Sequence, residues 1–424
     1  MRDHVTRRRV RMILGLLVAA ALVAPAAGCS SDDPYADSGT TWRQVQEQHV
    51  MDIRASAIRH HDRARFMSTV AKGDPALLAR QGRYFDNLIQ FPLSRLSFTV
   101  TTRSWRASLV ASRWRDAARP RIRQVVQLAG YDARPEVSMT GLVLAKKGES
   151  YKVVADRTAR GGFFPGYDPQ PWDLDPVRVS TSGDHVLGVF DAGTAAQSDR
   201  LLTLVRDGIS DDQSALPFWW DGDVVVYSFS DDDMLASFRA VPGGNIHDLG
   251  ALTFPVYANL QRTSVAGMRV LVLPDALAAD TAYLARLVRH ELTHVALGTR
   301  DDGAPTWFIE GIAEYLSARP LSRAQRRIPA VAVQRAAGPV ASMPASDTFN
   351  GPDQDWHYAL AWMACDYIAA HDGESRLWDL MDALHNARGG TRDSRQDAVL
   401  EQVIGMDSHQ LAQRAAARIR SIYG

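Results

Sequence analysis

The stretch His290-Glu291-Leu292-Thr293-His294, with Glu310-Gly311-Ile312-Ala313-Glu314 downstream of it, decides how this chain is read. Two residues four apart on a helix share one face about a turn apart. The rings of His290 and His294 can therefore converge on one metal ion while Glu291 points toward its open side, the geometry of a hydrolytic zinc site. Five residues alone can match such a pattern by chance, so the surroundings carry the weight.

Upstream, Val270-Leu271-Val272-Leu273 is a short apolar run of strand type, ended by Pro274. Asp280 is then placed to cap a helix whose apolar positions Leu284, Leu287, Val288, Leu292 and Val295 recur at three and four, and Gly298 stands where a helix ends. The two histidines thus fall inside a helix, as shared ligation requires. Downstream, Pro305 opens a second helix with apolar Trp307, Phe308, Ile309, Ile312 and Tyr315, and Pro320 stops it. Sixteen positions separate His294 from Glu310, enough chain to reverse direction and bring Glu310 in as a third ligand. His, His and Glu leave one position for water, as in catalytic zinc sites. Gly311 beside Glu310 permits close backbone approach.

These residues resemble gluzincin-type metallopeptidases, the class that includes thermolysin-like and M1-aminopeptidase-like enzymes, over about residues 265 to 385. The resemblance implies that His290, His294 and Glu310 hold zinc, that Glu291 polarises the attacking water, and that Glu314 orients a histidine. Ile309 stands where the named subgroups carry Asn, and no Gly-x-Met-x-Asn exopeptidase signature precedes His290. The class also implies a Tyr or His donor to the transition state, here Tyr358 or His357, and a strand beside the active-site helix that pairs with extended peptide, here Val270 to Leu273. The expected activity is zinc-dependent hydrolysis of a peptide or protein substrate by an endopeptidase or narrow processing enzyme. The alternative is an inactive or scaffolding zincin-like protein that binds peptide or another ligand without cutting it.

The rest of the chain sets the context. Its 424 residues exceed the usual size of one core. Lys plus Arg and Asp plus Glu number 48 each, a balance that argues against a nucleic-acid partner. Arg2, Arg7, Arg8, Arg9 and Arg11 precede an apolar run from Met12 to Val23, the form of an export signal too short for a permanent span. Ala26-Ala27-Gly28-Cys29 resembles a bacterial lipobox, which implies lipidation of Cys29 and a membrane tether on the extracytoplasmic face. Otherwise the protein is simply secreted. Cys365, among Ala361, Trp362, Met363 and Ala364, reads as a buried thiol, with no disulfide expected.

The expected class is α+β. Residues 1–29 are the signal and lipobox, and 30–40 a flexible tether. Residues 41–165, helices followed by alternating strands, form a smaller α+β domain whose element order resembles the cone-shaped fold of the nuclear transport factor and ketosteroid isomerase superfamily. His60 and His61 read as surface residues. A linker rich in proline and glycine follows at 161–176. Residues 177–424 form a zincin-like metallopeptidase domain, with a small mixed sheet and a helical C-terminal half.

Overall fold

The computed structural model describes residues 14–16, 41–105, 117–167, 169–237, 246 and 249–424. Helices and sheets are mixed in an α+β arrangement. The lipobox with Cys29 and the tether at 30–40 lie outside the described residues. Among the described residues, no helix is long and apolar enough to cross a membrane.

After a short strand β1 (Leu14–Leu16) come α1 (Trp42–Arg59), α2 (Arg63–Met67) and α3 (Pro75–Leu88). Thr41, Asp62 and Asp74 each accept the backbone N–H three residues on, which satisfies a donor that the first turn leaves open. Strands β2 (Leu93–Trp105), β3 (Arg119–Leu128) and β4 (Glu136–Thr140) form an antiparallel sheet in that order, and β5 (Val143–Lys147) pairs with β6 (Ser150–Ala155). The Gln48 side chain fastens α1 to β2, donating to the Phe98 carbonyl and accepting from Val100 N–H, both at 2.8 Å. His60 and His61 are exposed.

A second sheet follows, built from β7 (Arg178–Ser182), β8 (Val186–Phe190), β9 (Val224–Ser228), β10 (Ala251–Tyr257) and β11 (Val265–Val272), with α4 (Ser198–Ala215) between β8 and β9 and α5 (Asp232–Ser237) after β9. Its order is β1-β10-β11-β9-β8-β7. Strand β11 is antiparallel to β10 and parallel to β9. The strand expected to border the cleft, Val270 to Leu273, therefore lies inside the sheet. That corrects the sequence reading: the neighbour that comes after it toward the edge is β10, whose Ala251–Thr253 segment pairs with the three-residue β1.

Because side chains alternate across a strand, β8, β9, β10 and β11 each feed two cores. Val224, Val226, Ala251, Val270 and Val272 face the helices α4 and α7, in one apolar cluster. Val225, Tyr227, Leu252 and Leu271 join Val50, Met51, Ile58, Phe85 and Val100 of the N-terminal elements in another. The sheet is thus sandwiched between the N-terminal elements and the C-terminal helices. Residues 161–176 fold against this sandwich: Trp172 is 2 % exposed and packs edge-on against Phe91, while Asn87 bonds to the Asp175 carbonyl and to Val177 N–H.

The helical part comprises α6 (Pro274–Leu277), α7 (Thr281–Leu297), α8 (Thr306–Ala318), α9 (Ala330–Ala336), α10 (Gln354–His371), α11 (Ser375–Asn386), α12 (Arg392–Ile404) and α13 (Ser408–Tyr423). Helix α8 packs between α7 and α10. Gly311 lets α8 and α10 touch: a Cβ there would sit 2.6 Å from the Ala361 carbonyl oxygen and 2.8 Å from the buried Cys365 Sγ.

Candidate metal centre

Helix α7 begins where the Asp280 side chain accepts Tyr283 N–H at 3.0 Å and ends at Gly298, whose φ of 58° few other residues adopt. Between those caps it lies between the sheet and α8, so its polar residues are buried along with its apolar ones. Pro305 stands at the N-cap of α8, opening the helix as its position in the sequence predicts. The reversal between the helices brings Glu310 over the His290–His294 face.

His290 Nε2 lies 3.1 Å from Glu310 Oε2 and 3.1 Å from His294 Nε2, and the last side of the triangle, His294 Nε2 to Glu310 Oε2, is 3.6 Å. Ligands about 2.0–2.1 Å from a tetrahedral zinc ion stand roughly 3.3–3.4 Å apart, so three such atoms are already at ligand spacing. All three residues are at most 2 % exposed, which separates them from the acidic surface clusters that need no ion.

Charge and hydrogen bonding fit the same group. Glu291, Glu310 and Glu314 are opposed, among the described residues that touch them, by the guanidinium of Arg286. With neutral imidazoles the cluster carries a formal surplus of two negative charges, which one divalent cation cancels. Glu291 Oε1, Glu310 Oε1 and His294 Nδ1 are buried without a hydrogen-bond partner. An unsatisfied buried polar atom costs about 1–3 kcal/mol; several in one cluster mark a place built for something that binds there.

The side chains also bias one another's protons. Burial alone would lower the pKa of His290, but Glu310 and Glu314 outweigh it and push it up to about 9. For Glu310 burial works upward, and the two histidines overcome it to hold the carboxyl at about 2. Burial raises Glu291. Glu314, which burial would raise, is drawn down by Arg286 and His290. These directions describe a carboxylate-rich pocket that stabilises positive charge at its centre.

Glu314 stands one turn after Glu310, where it bridges two partners. One oxygen pairs with Arg286 Nη2, and the other lies 3.3 Å from His290 Nδ1, within ion-pair reach though off the line of a hydrogen bond. Arg286 in turn lies over the Trp362 ring at 4.5 Å, so α10 holds the far end of this chain of contacts. Tyr358, also on α10, has its ring centroid 6.4 Å from that of His290, and its hydroxyl donates to Asn350 Oδ1 at 3.2 Å. Burial and the neighbouring carboxylates of Glu310, Glu314 and Glu291 push its pKa well above the usual range, so it stays a protonated donor. His357 is held elsewhere, its Nδ1 2.8 Å from the Phe349 carbonyl oxygen. Sequence reasoning missed Thr253 and Asn350, which reach the site from β10 and from the loop before α10.

The N-terminal elements carry a second polar interior. Arg54 donates to Thr69 at 3.1 Å and Gln81 at 2.6 Å, Gln81 donates to Asp156 at 2.9 Å, and Arg80 grips Asp156 with two nitrogens. These side chains fill the space between helices and sheet, leaving a cavity of ≈ 20 Å³. That is room for about one water molecule.

No family model matches this chain, and no curated protein matches it. Among solved structures, it is similar to the crystal structure of a two-domain M1 zinc metallopeptidase, an alanine mutant bound to L-arginine. The identity is 13 % and the TM-score 0.30, over 65 % of this chain and 58 % of that one. The match spans little more than half the length of that structure, and a likeness this slight leaves the chemistry to the geometry of the site.

Proposed function

We propose that this chain is a zinc-dependent hydrolase of peptide bonds, zincin-like in its catalytic part, 177–424, and tethered outside the cytoplasm by a lipid on Cys29, a processing that would remove β1 and leave β10 at the edge of the sheet. The observation that carries the reading is the buried triangle of His290 Nε2, His294 Nε2 and Glu310 Oε2 at tetrahedral ligand spacing. The Ala26-Ala27-Gly28-Cys29 sequence supports the tether.

His290, His294 and Glu310 are the metal ligands. Zinc held there supplies Lewis-acid activation of water and of a scissile carbonyl. Glu291 is the general base: it takes a proton from the attacking water and passes it to the leaving amine. The Tyr358 hydroxyl donates to the oxyanion that develops at the carbonyl. Glu314 and Arg286 fix the orientation of His290 and strengthen it as a donor.

The test is metal analysis of the purified protein beside a peptide-library assay. We expect one zinc per chain, hydrolysis that stops on chelation and returns with zinc, and loss of both metal and hydrolysis in His294→Ala. Metal-free protein with an intact fold after zinc supplementation, or bound zinc without turnover of any peptide, would sink the enzymatic reading. Incorporation of labelled lipid that persists in Cys29→Ser would sink the tether.

A further inference from the structure

We propose that Thr253 is a positioning residue that aims the carboxylate of Glu291, presenting Oε1 as the proton-accepting atom; this rests on the peptidase reading above. The case begins with strand alternation. Ala251 faces the helices and Leu252 the N-terminal elements, so Thr253 turns back toward α7. Its place is set by the ladder, where it pairs with Val270 of β11. Its branched Cβ restricts the first side-chain torsion further.

The hydroxyl oxygen Oγ1 lies 2.6 Å from Glu291 Oε2 and 3.1 Å from the Glu291 backbone oxygen. A hydroxyl has one proton to give, and the shorter contact is the one about 2.5–2.7 Å long that a charge-assisted bond to a carboxylate takes. Thr253 and Glu291 are both 0 % exposed, so the bond lies in the interior, where it is electrostatically stronger than in water. The consequence is an asymmetric carboxylate. Oε2 is occupied, whereas Oε1 is buried with its lone pairs unpartnered.

An acceptor that must meet a proton in one direction gains from this arrangement. A carboxylate turns about its last torsion in a broad, roughly two-fold well, so packing alone leaves its direction soft. A hydrogen bond from a rigid strand removes that softness. Misplacement by about 1 Å near reacting atoms can cost roughly 10²-fold in rate. Thr253 thus ties β10, the strand next to β11, to the base.

The experiment compares Thr253→Val, which keeps shape and removes the donor, with Thr253→Ser, which keeps the donor and removes a methyl group. In zinc-loaded protein we expect Thr253→Val to retain bound zinc and thermal stability, to lose about 10- to 100-fold in kcat with KM little changed, and to show the Glu291 carboxylate rotated or split in a crystal structure. Thr253→Ser is expected to recover most of kcat and the single carboxylate orientation. Equal losses in both variants would mean packing, and unchanged kcat with an unchanged carboxylate in Thr253→Val would overturn the proposal. If Thr253→Val does not fold, Thr253→Ala removes the same donor. If the parent protein hydrolyses no peptide, the peptidase reading falls, while the crystallographic comparison still decides whether Thr253 aims Glu291.

Discussion

One sheet carries two buried charged clusters, one on each face, and they are finished in different ways. On the N-terminal face Arg269 of β11 is 1 % exposed, with Nη2 2.8 Å from Asp132 Oδ1 and 3.7 Å from Glu136 Oε2. Its remaining nitrogens donate to Tyr227 Oη at 3.2 Å and the Met268 carbonyl at 3.1 Å, and Asp132 Oδ2 accepts Leu128 N–H at 2.8 Å. Burial would pull the guanidinium pKa down, but the anionic partners win and it rises, so the cluster holds its charge with its own atoms. Asp132 Oδ1 meets Arg269 as an ion pair without hydrogen-bond geometry, whereas on the other face Glu291 Oε1, Glu310 Oε1 and His294 Nδ1 are left together in one pocket without hydrogen-bond partners. A closed cluster joins two parts of a fold, whereas an open one is a site.

The largest difference between them should appear in turnover. Glu291→Gln keeps the size of the side chain and all three ligands, and removes the base. We expect zinc content unchanged and kcat lowered by about 10²–10⁴-fold, the usual worth of general acid–base catalysis. Near-normal hydrolysis by this variant would place the base elsewhere.

The converse experiment removes the cation from the closed cluster. Arg269→Met leaves Asp132 buried without its cation, and breaking a buried pair this way costs about 3–5 kcal/mol. Urea denaturation should read that loss while zinc binding per folded molecule stays at one. Loss of zinc from folded Arg269→Met would show that the two faces are not independent, and the comparison would break.

Tyr358→Phe comes next. The phenyl ring keeps its packing against Phe349, whose centroid is 4.8 Å away, and only the donor goes. A fall of about 10²–10³-fold in kcat is expected for an oxyanion donor, with KM nearly constant. An unchanged kcat would reduce Tyr358 to a packing residue and leave the Asn350 amide beside it as the next donor to test.

What the sequence disclosed divides along the same line. The ends of α7 were readable because Asp280 and Gly298 act on their own neighbours through caps. Glu310 could be anticipated because one short reversal joins α7 to α8. Thr253 gave no signal: its contact with Glu291 depends on which face of β10 it takes, and that follows from a sheet assembled from distant segments. The same long-range pairing hid the interior position of Val270–Val272 and the Arg269–Asp132 pair. Helix α4 continues through Gly208, which fits against Leu292 and Val288 of α7, a packing contact that its own amphipathic pattern does not contain.

The smallest expected effect tests whether the open site is held by the helices around it. Gly311→Ala puts a methyl group where the Ala361 carbonyl oxygen lies 2.6 Å away, and a backbone atom cannot swing aside as a side-chain tip can. The helices must part by a few tenths of an ångström or more. Overpacking of this kind costs about 1–3 kcal/mol. Unlike the loss at Arg269, this one should reach the metal centre, because α8 carries Glu310 and Glu314 while α10 carries Tyr358 and the Trp362 ring beneath Arg286. Competition with a chelator of known affinity should therefore show weaker zinc binding in Gly311→Ala than in Arg269→Met, even though its denaturation midpoint falls less. The reverse order would mean that the ligand triangle is set within α7 and α8 alone, and that the distance to α10 matters only for the donor it brings.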